Sequence, residues 1–174
     1  MNGEVKLMTG GTPNHNRICR NLLIALELAF KGKPFETFIT DQRLSIPERN
    51  IYTYPDIMVL QQPIELQEGR TDTVMNPCLI AEVLSSSSDI TGRSTFGYKL
   101  QTTPTKDYDR SEKFVAYRTV ETFQEHLLID QYKIQVEHYV KTAANQWLLS
   151  EYHDPEVTLN LTSVNVQLKI ADLI

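Results

Sequence analysis

The sequence predicts an α/β or α+β fold, a mixed β-sheet with helices on its faces. Three observations carry that reading. A well-capped amphipathic helix lies near the start, two short apolar runs occupy the middle, and the last third alternates apolar and polar residues. The resulting order is strand, helix, strands, helix, strands, which suits a sheet covered by helices. At 174 residues the chain is long enough for a sizeable core and reads as one domain over 1–174.

The elements follow in order. "GEVKLMTGG" reads as a short edge strand ending in a glycine turn. "TPNHNRICRNLLIALELAFKG" reads as a helix, with Thr12 as N-cap, Pro13 at the first helical position and Gly32 as the stop signal. Ile18, Leu22, Leu26 and Ala29 recur at helical spacing. "PFETFI" and "QRLSI" read as strands separated by a turn at Thr40 and Asp41. Strands at about 55–60 and 78–84 come next, joined by the linker "QQPIELQEGRTDTVMN", which is polar and reads as exposed. The stretch 85–106 is rich in Ser, Thr and Gly and reads as a long loop or a two-stranded flap. "DYDRSEKFVAYR" reads as a second helix, with Asp109 and Glu112 as an acidic capping box and Phe114 and Tyr117 on its apolar face. "QEHLLID", "KIQVEHYV", "NQWLLSEYHD" and "VQLKI" read as the closing antiparallel strands.

Two acids sit where local packing does not want them. Asp56 stands at the mouth of the apolar run Ile57, Met58, Val59, Leu60. Glu82 stands inside a second run, flanked by Leu79, Ile80, Val83 and Leu84. Acids are depleted in strands, and an ionised carboxylate in an apolar setting is costly unless paired or bound to a metal. If the two strands are neighbours, the carboxylates converge. Paired carboxylates, with the backbone carbonyl of Val83 as a further oxygen, suit a hard divalent ion such as Mg²⁺. Such an ion activates water and neutralises charge on a phosphodiester. A nearby ammonium would orient the water or stabilise the developing charge. Lys113 is the first candidate for it and His15 a weaker one.

Each residue also has a plainer reading. Asp56 would cap backbone amides at a strand entrance, and Glu82 would pair with a core Arg or Lys. Lys113 would pair with Asp109, one helical turn away. His15 would be a helix-start or core histidine, and Tyr117 a core aromatic rather than a cleft residue. Arg110 would contact phosphate or would be a solvated helix residue.

Composition sets the outer limits. The net charge of −5 argues against non-specific nucleic-acid binding by the whole surface. Residues 85–118 run the other way, with six Lys/Arg against four Asp/Glu. That excess is small and reads first as a solvated surface. No apolar run approaches the roughly 18 residues of a membrane helix, and "MNGEVKLM" has no signal-peptide pattern. Cys19 and Cys78 form no CxxC pair, so neither a disulfide framework nor a thiolate zinc site is expected, and a reducing cytoplasm fits.

"YPDIMVL", then "IAEVLSSSS", then "DYDRSEKFVAYR" resembles the PD-(D/E)xK nuclease superfamily, and more narrowly its Uma-type restriction endonuclease family. "MTGGTPNHNRI" is similar to that family's entry to its first helix, and "HLLIDQYKIQVEHYV" and "QWLLSEY" to its closing strands, so the likeness covers nearly the whole chain. The resemblance implies a restriction-endonuclease-like core and Mg²⁺- or Mn²⁺-dependent hydrolysis of DNA, with Asp56 and Glu82 as metal-binding acids. The superfamily's usual lysine, two residues after the glutamate, is Leu84 here. In this family the lysine comes from the following helix, which places it at Lys113. Two departures stand out. Residues 89–106 look like an insertion between the glutamate strand and the helix, and the chain starts late, without the extra helix that relatives carry before the "NGEV" strand.

The expectation is therefore a cytoplasmic, metal-dependent DNA endonuclease. Cutting two strands wants two sites, and cyclic dimers are the commonest assembly, so a homodimer is expected. The alternative is a catalytically inactive nuclease-fold module for DNA binding or protein interaction.

Overall fold

The computed structural model describes residues 11–84 and 113–174. The expected first strand, the insertion at 89–106, the Asp109–Glu112 capping box and Arg110 lie outside the described residues.

Helix α1 (Pro13–Ala29) begins as its sequence demands. Thr12 is the N-cap, its hydroxyl accepting from the His15 amide at 3.1 Å, and Pro13 follows with no amide to satisfy. Ile18, Cys19, Leu22 and Leu26 form the buried stripe. Phe30 closes the last turn through Leu26, and Gly32 takes the positive φ of +75° that turns the chain away.

The strands are β1 (Phe35–Ile39), β2 (Arg43–Ile46), β3 (Ile51–Thr53), β4 (Ile57–Gln61), β5 (Thr73–Val74), β6 (Pro77–Leu84), β7 (Glu125–Asp130), β8 (Val136–Ala143), β9 (Gln146–Tyr152), β10 (Thr158–Leu161) and β11 (Val166–Lys169). A short helix α2 (Phe114–Tyr117) precedes β7. The main sheet has six strands in the order β1-β4-β6-β7-β8-β9. All its pairs are antiparallel except β6 with β7. A parallel pair needs a crossover over one face of the sheet, and α2 belongs to that connection.

Both faces of the central strands are covered. On one side α1 and the β10–β11 hairpin pack against Ile57, Val59, Leu79, Ala81, Val83, Leu127 and Ile129. On the other, α2 and the small β3-β2-β5 sheet pack against Met58, Leu60 and Ile80. This explains why β4 and β6 read as continuous apolar runs rather than alternating ones. β6 is buried at every position, Glu82 included.

Two expectations need correction. The linker 61–76 is not simply an exposed loop: it contains β5, and Thr73, Val74 and Asn76 are buried. The strands on either side of the turn at Thr40 and Asp41 go to different sheets. β1 pairs with β4, whereas β2 joins β3 and β5 in the second sheet. β4 begins at Ile57, so Asp56 lies in the bend that enters the strand. Strands β3 and β10 are too short and too mixed in composition to stand out in the sequence.

Two buried polar groups tie this scaffold together. Glu125, fully buried in β7, accepts from the backbone amides of Thr162 and Ser163 at 3.1 and 3.0 Å and from the Ser163 hydroxyl at 2.5 Å. It also pairs with His138 Nε2 at 2.6 Å. It thereby fixes the β10–β11 turn to the sheet. Glu125→Ala leaves several donors unpaired inside the protein and is expected to lower the unfolding free energy by about 3–5 kcal/mol, measured by chemical denaturation.

His126 points the other way, into the aromatic cluster of Phe114, Tyr117, Phe123 and Tyr139. Its Nδ1 lies 3.1 Å from the Ile80 carbonyl, which can only accept, so Nδ1 carries the proton. Its buried Nε2 has no hydrogen-bond partner among the described residues. Burial lowers its pKa from 6.5 to about 3. The native state thus keeps the ring neutral where the unfolded chain protonates it. Unfolding takes up a proton between pH 6.5 and about 3, and stability falls as pH drops through that window. A His126→Gln variant should lose that one-proton dependence, a slope of about 1.4 kcal/mol per pH unit, in denaturation curves collected from pH 7 to pH 4.

Candidate active site

Asp56 and Glu82 do converge. Their strands are direct neighbours, with Ile57 opposite Ala81. Because β4 starts only at Ile57, the edge of β6 beyond Ala81 has no β4 strand to pair with, and the Asp56 side chain takes that place. Asp56 Oδ2 accepts from the Val83 amide at 2.8 Å, and the Asp56 amide approaches Glu82 Oε2 at 3.4 Å. The expected amide-capping role of Asp56 is therefore real, and it is also what points this carboxylate at β6. The N–H and C=O of one strand residue leave the same side of the strand, so the Val83 carbonyl belongs to this edge too. From the β1 side, the Thr40 amide donates to the Asp56 carbonyl at 3.1 Å and holds the bend.

Side-chain alternation sends Glu82 to the face that carries α2. There Glu82 Oε1 is met by Lys113 Nζ at 3.0 Å and by the Tyr117 hydroxyl at 2.7 Å. Glu82 is only 2% exposed and Lys113 only 8%. The crossover between β6 and β7 explains this arrangement, since it lays α2 against Ile80 and Met58 with Lys113 and Tyr117 facing Glu82. Tyr117 is wholly buried, and burial together with the Glu82 charge pushes its phenol well above the ordinary value, so it stays protonated and donates. The expected core aromatic and the expected site residue are the same side chain.

His15 reaches the pair from the opposite layer. Its Nε2 lies 3.1 Å from Asp56 Oδ2, and its Nδ1 lies 3.7 Å from Cys19 Sγ. The bond to Asp56, more than that to Cys19, raises its pKa from 6.5 to about 10 against an opposing burial effect, so the imidazole is cationic at neutral pH. Asp56 thus bridges the two layers that sandwich the sheet.

Two neighbours of the site lie outside the sequence-predicted set. Gln131, just past β7, donates from Nε2 to the Leu84 carbonyl at 2.9 Å, accepts from the Thr12 hydroxyl, and accepts at its own carbonyl from Asn14. It ties the end of β6 to the start of α1 and so sets where His15 stands. Its partners Thr12 and Asn14 are more than a hundred residues away in sequence, which no local pattern reveals. Cys19 had a readable cue: it follows His15 by four residues on a helix, which puts both on one face.

The site therefore groups two carboxylates, one ammonium, one imidazolium and one phenol. Its donor set fits a hard divalent ion at Asp56 and Glu82. Their oxygens are partitioned: Glu82 Oε1 is held by Lys113 and Tyr117, and Asp56 Oδ2 by His15 and Val83. Asp56 Oδ1 has no hydrogen bond among the described residues, and Glu82 Oε2 faces the Asp56 amide at 3.4 Å.

Comparison with known proteins agrees with this architecture. The Uma2 family, described as "Putative restriction endonuclease", matches residues 1–171. Uncharacterized protein sll1609 of Synechocystis sp. is 39% identical over 149 residues, covering 86% of this chain and 75% of the relative. Uncharacterized protein slr1290 of the same organism is 27% identical over 168 residues, covering 97% and 78%. Among solved structures, "a putative nuclease belonging to DUF820" from Anabaena variabilis superposes with a TM-score of 0.72 at 18% identity, covering 99% of this chain and 87% of that one. At that identity the likeness establishes the fold, which is restriction-endonuclease-like. With the family match spanning nearly every residue, the chain belongs to the Uma2 family of restriction-endonuclease-like proteins.

Proposed function

We propose that this chain is a divalent-metal-dependent DNA endonuclease, with Asp56 and Glu82 holding Mg²⁺ or Mn²⁺ beside the Val83 carbonyl. The observation that carries the reading is the convergence of two carboxylates from neighbouring strands beside a buried lysine that pairs with one of them. A divalent ion bound there would supply a more acidic water and neutralise charge on a phosphodiester oxygen.

The chain's own residues have distinct parts in this scheme. Tyr117 and Lys113 fix Glu82 Oε1, so that Oε2 is the oxygen left toward Asp56. Lys113 brings a positive charge whose long stem lets it follow the attacking water or the developing anion. His15, held cationic by Asp56, adds a second positive group at the rim of the site, suited to a phosphate. DNA as substrate rests on the family. A homodimer rests on the need to cut two strands, and a cytoplasmic setting on two cysteines that are both free and buried.

A second reading has its own observation. Lys113 and Tyr117 already satisfy Glu82 Oε1, and a carboxylate so paired can sit in a core as a structural element. On that reading the chain is a catalytically inactive nuclease-fold module that binds DNA or a protein.

Cleavage of supercoiled plasmid with Mg²⁺ or Mn²⁺ separates the two. Wild type is expected to nick, and Asp56→Asn, Glu82→Gln and Lys113→Met are each expected to lose at least about a hundredfold in rate while remaining folded by circular dichroism. Tyr117→Phe, which removes one of two bonds to Oε1, should lose less. A folded wild type inactive on supercoiled, linear and single-stranded DNA with either metal favours the second reading. Undiminished nicking by Glu82→Gln overturns the site.

A further inference from the structure

The face of α1 that carries His15 also carries Cys19, and both meet Asp56. We infer that His15, Cys19 and Asp56 form a second metal site, selective for a thiophilic divalent ion of the zinc class and overlapping the proposed Mg²⁺ site at Asp56.

The chemistry of the donors points to the ion. Thiolate, imidazole and carboxylate together are a zinc-type set, and hard ions such as Mg²⁺ have no use for the sulfur. Three protein ligands leave a fourth tetrahedral position for water. The geometry is close to what the ion needs. One ligand atom from each residue lies within 4.8 Å of the other two. Zinc bonds of 2.0–2.3 Å in a tetrahedron separate ligand atoms by about 3.3–3.8 Å. The observed contacts, 3.1 Å from His15 Nε2 to Asp56 Oδ2 and 3.7 Å from His15 Nδ1 to Cys19 Sγ, seat the imidazole between the other two ligands, and a turn of the ring is what brings one nitrogen to both. Side-chain adjustments on the ångström scale bring one imidazole nitrogen, the sulfur and a carboxylate oxygen around one centre. All three ligands are held in place, because helical spacing sets His15 and Cys19 and because Asp56 is pinned by the Val83 amide at 2.8 Å.

The consequence depends on the proposed nuclease reading; the binding itself does not. A zinc-class ion at this site uses the carboxylate that the Mg²⁺ site requires. Occupancy of one opposes occupancy of the other, so submillimolar Zn²⁺ acts as a competitive brake on Mg²⁺-dependent cleavage. Binding also exchanges the protons of the thiol and imidazole for the ion.

The test uses Co²⁺ as a spectroscopic substitute for Zn²⁺ on the whole chain. Wild type is expected to develop a thiolate-to-cobalt charge-transfer band that Zn²⁺ bleaches. Cys19→Ser should lose the band and weaken Zn²⁺ binding by more than about tenfold in calorimetry. Cys78→Ala should keep the band, because Cys78 lies elsewhere in the core, where it donates to the Val59 carbonyl. Absence of the band in wild type, or its persistence in Cys19→Ser, overturns the site. In the cleavage assay, Cys19→Ser should retain Mg²⁺-dependent nicking and lose at least about tenfold of its sensitivity to Zn²⁺. Equal Zn²⁺ inhibition of both proteins overturns the brake. A wild type that shows the band but cuts no DNA refutes the nuclease reading and leaves the metal site standing.

Discussion

Glu82 sits in the middle of a strand buried on both faces and is almost entirely removed from water. A lone carboxylate there would cost several kcal/mol. The protein answers with Lys113 and Tyr117 on one oxygen, and both come from the α2 segment of the β6–β7 crossover. Much of the fold can be read as the consequence of that requirement. The parallel β6–β7 pair demands a crossover, the crossover delivers α2, and α2 delivers the cation and the phenol. The groups that make Glu82 tolerable also turn its second oxygen toward Asp56.

Asp56 couples this arrangement to the other layer. By entering β4 one residue late, the chain leaves an edge of β6 unpaired and fills it with a carboxylate. The same carboxylate takes the imidazolium from α1. The position of α1 is fixed in turn by Thr12, Asn14 and Gln131, so a glutamine beyond β7 governs the register between helix and sheet at the site. Packed layers of this kind do not deform smoothly. A change at Gln131 would therefore be felt at His15 and Asp56 without touching either directly.

The sequence made much of this legible. The capped helix, the two apolar strands and the two misplaced acids are local patterns, and each is found where the pattern placed it. Lys113 was legible as a member of the helix after the second acid. What was illegible depended on pairing over long distances. β2 could not be assigned to a separate sheet, because its partners β3 and β5 are only three and two residues long. Gln131 was silent because its role lies in bonds to the far end of the chain. Cys19 carries no CxxC signature, and only its helical spacing from His15, four residues earlier, sets the two on one face. The convergence of Asp56 and Glu82 was conditional on strand order, and the β4–β6 neighbourhood meets that condition.

The central claim is that Asp56 and Glu82 together hold a hard divalent ion. Mn²⁺ titration followed by electron paramagnetic resonance tests it without requiring cleavage. Wild type should remove Mn²⁺ from the free-ion signal, Cys19→Ser should do so equally, and Asp56→Asn and Glu82→Gln should each fail. A folded Glu82→Gln that binds Mn²⁺ as tightly as wild type, or a wild type that binds none, would contradict the account and leave Glu82 as a core acid neutralised by Lys113.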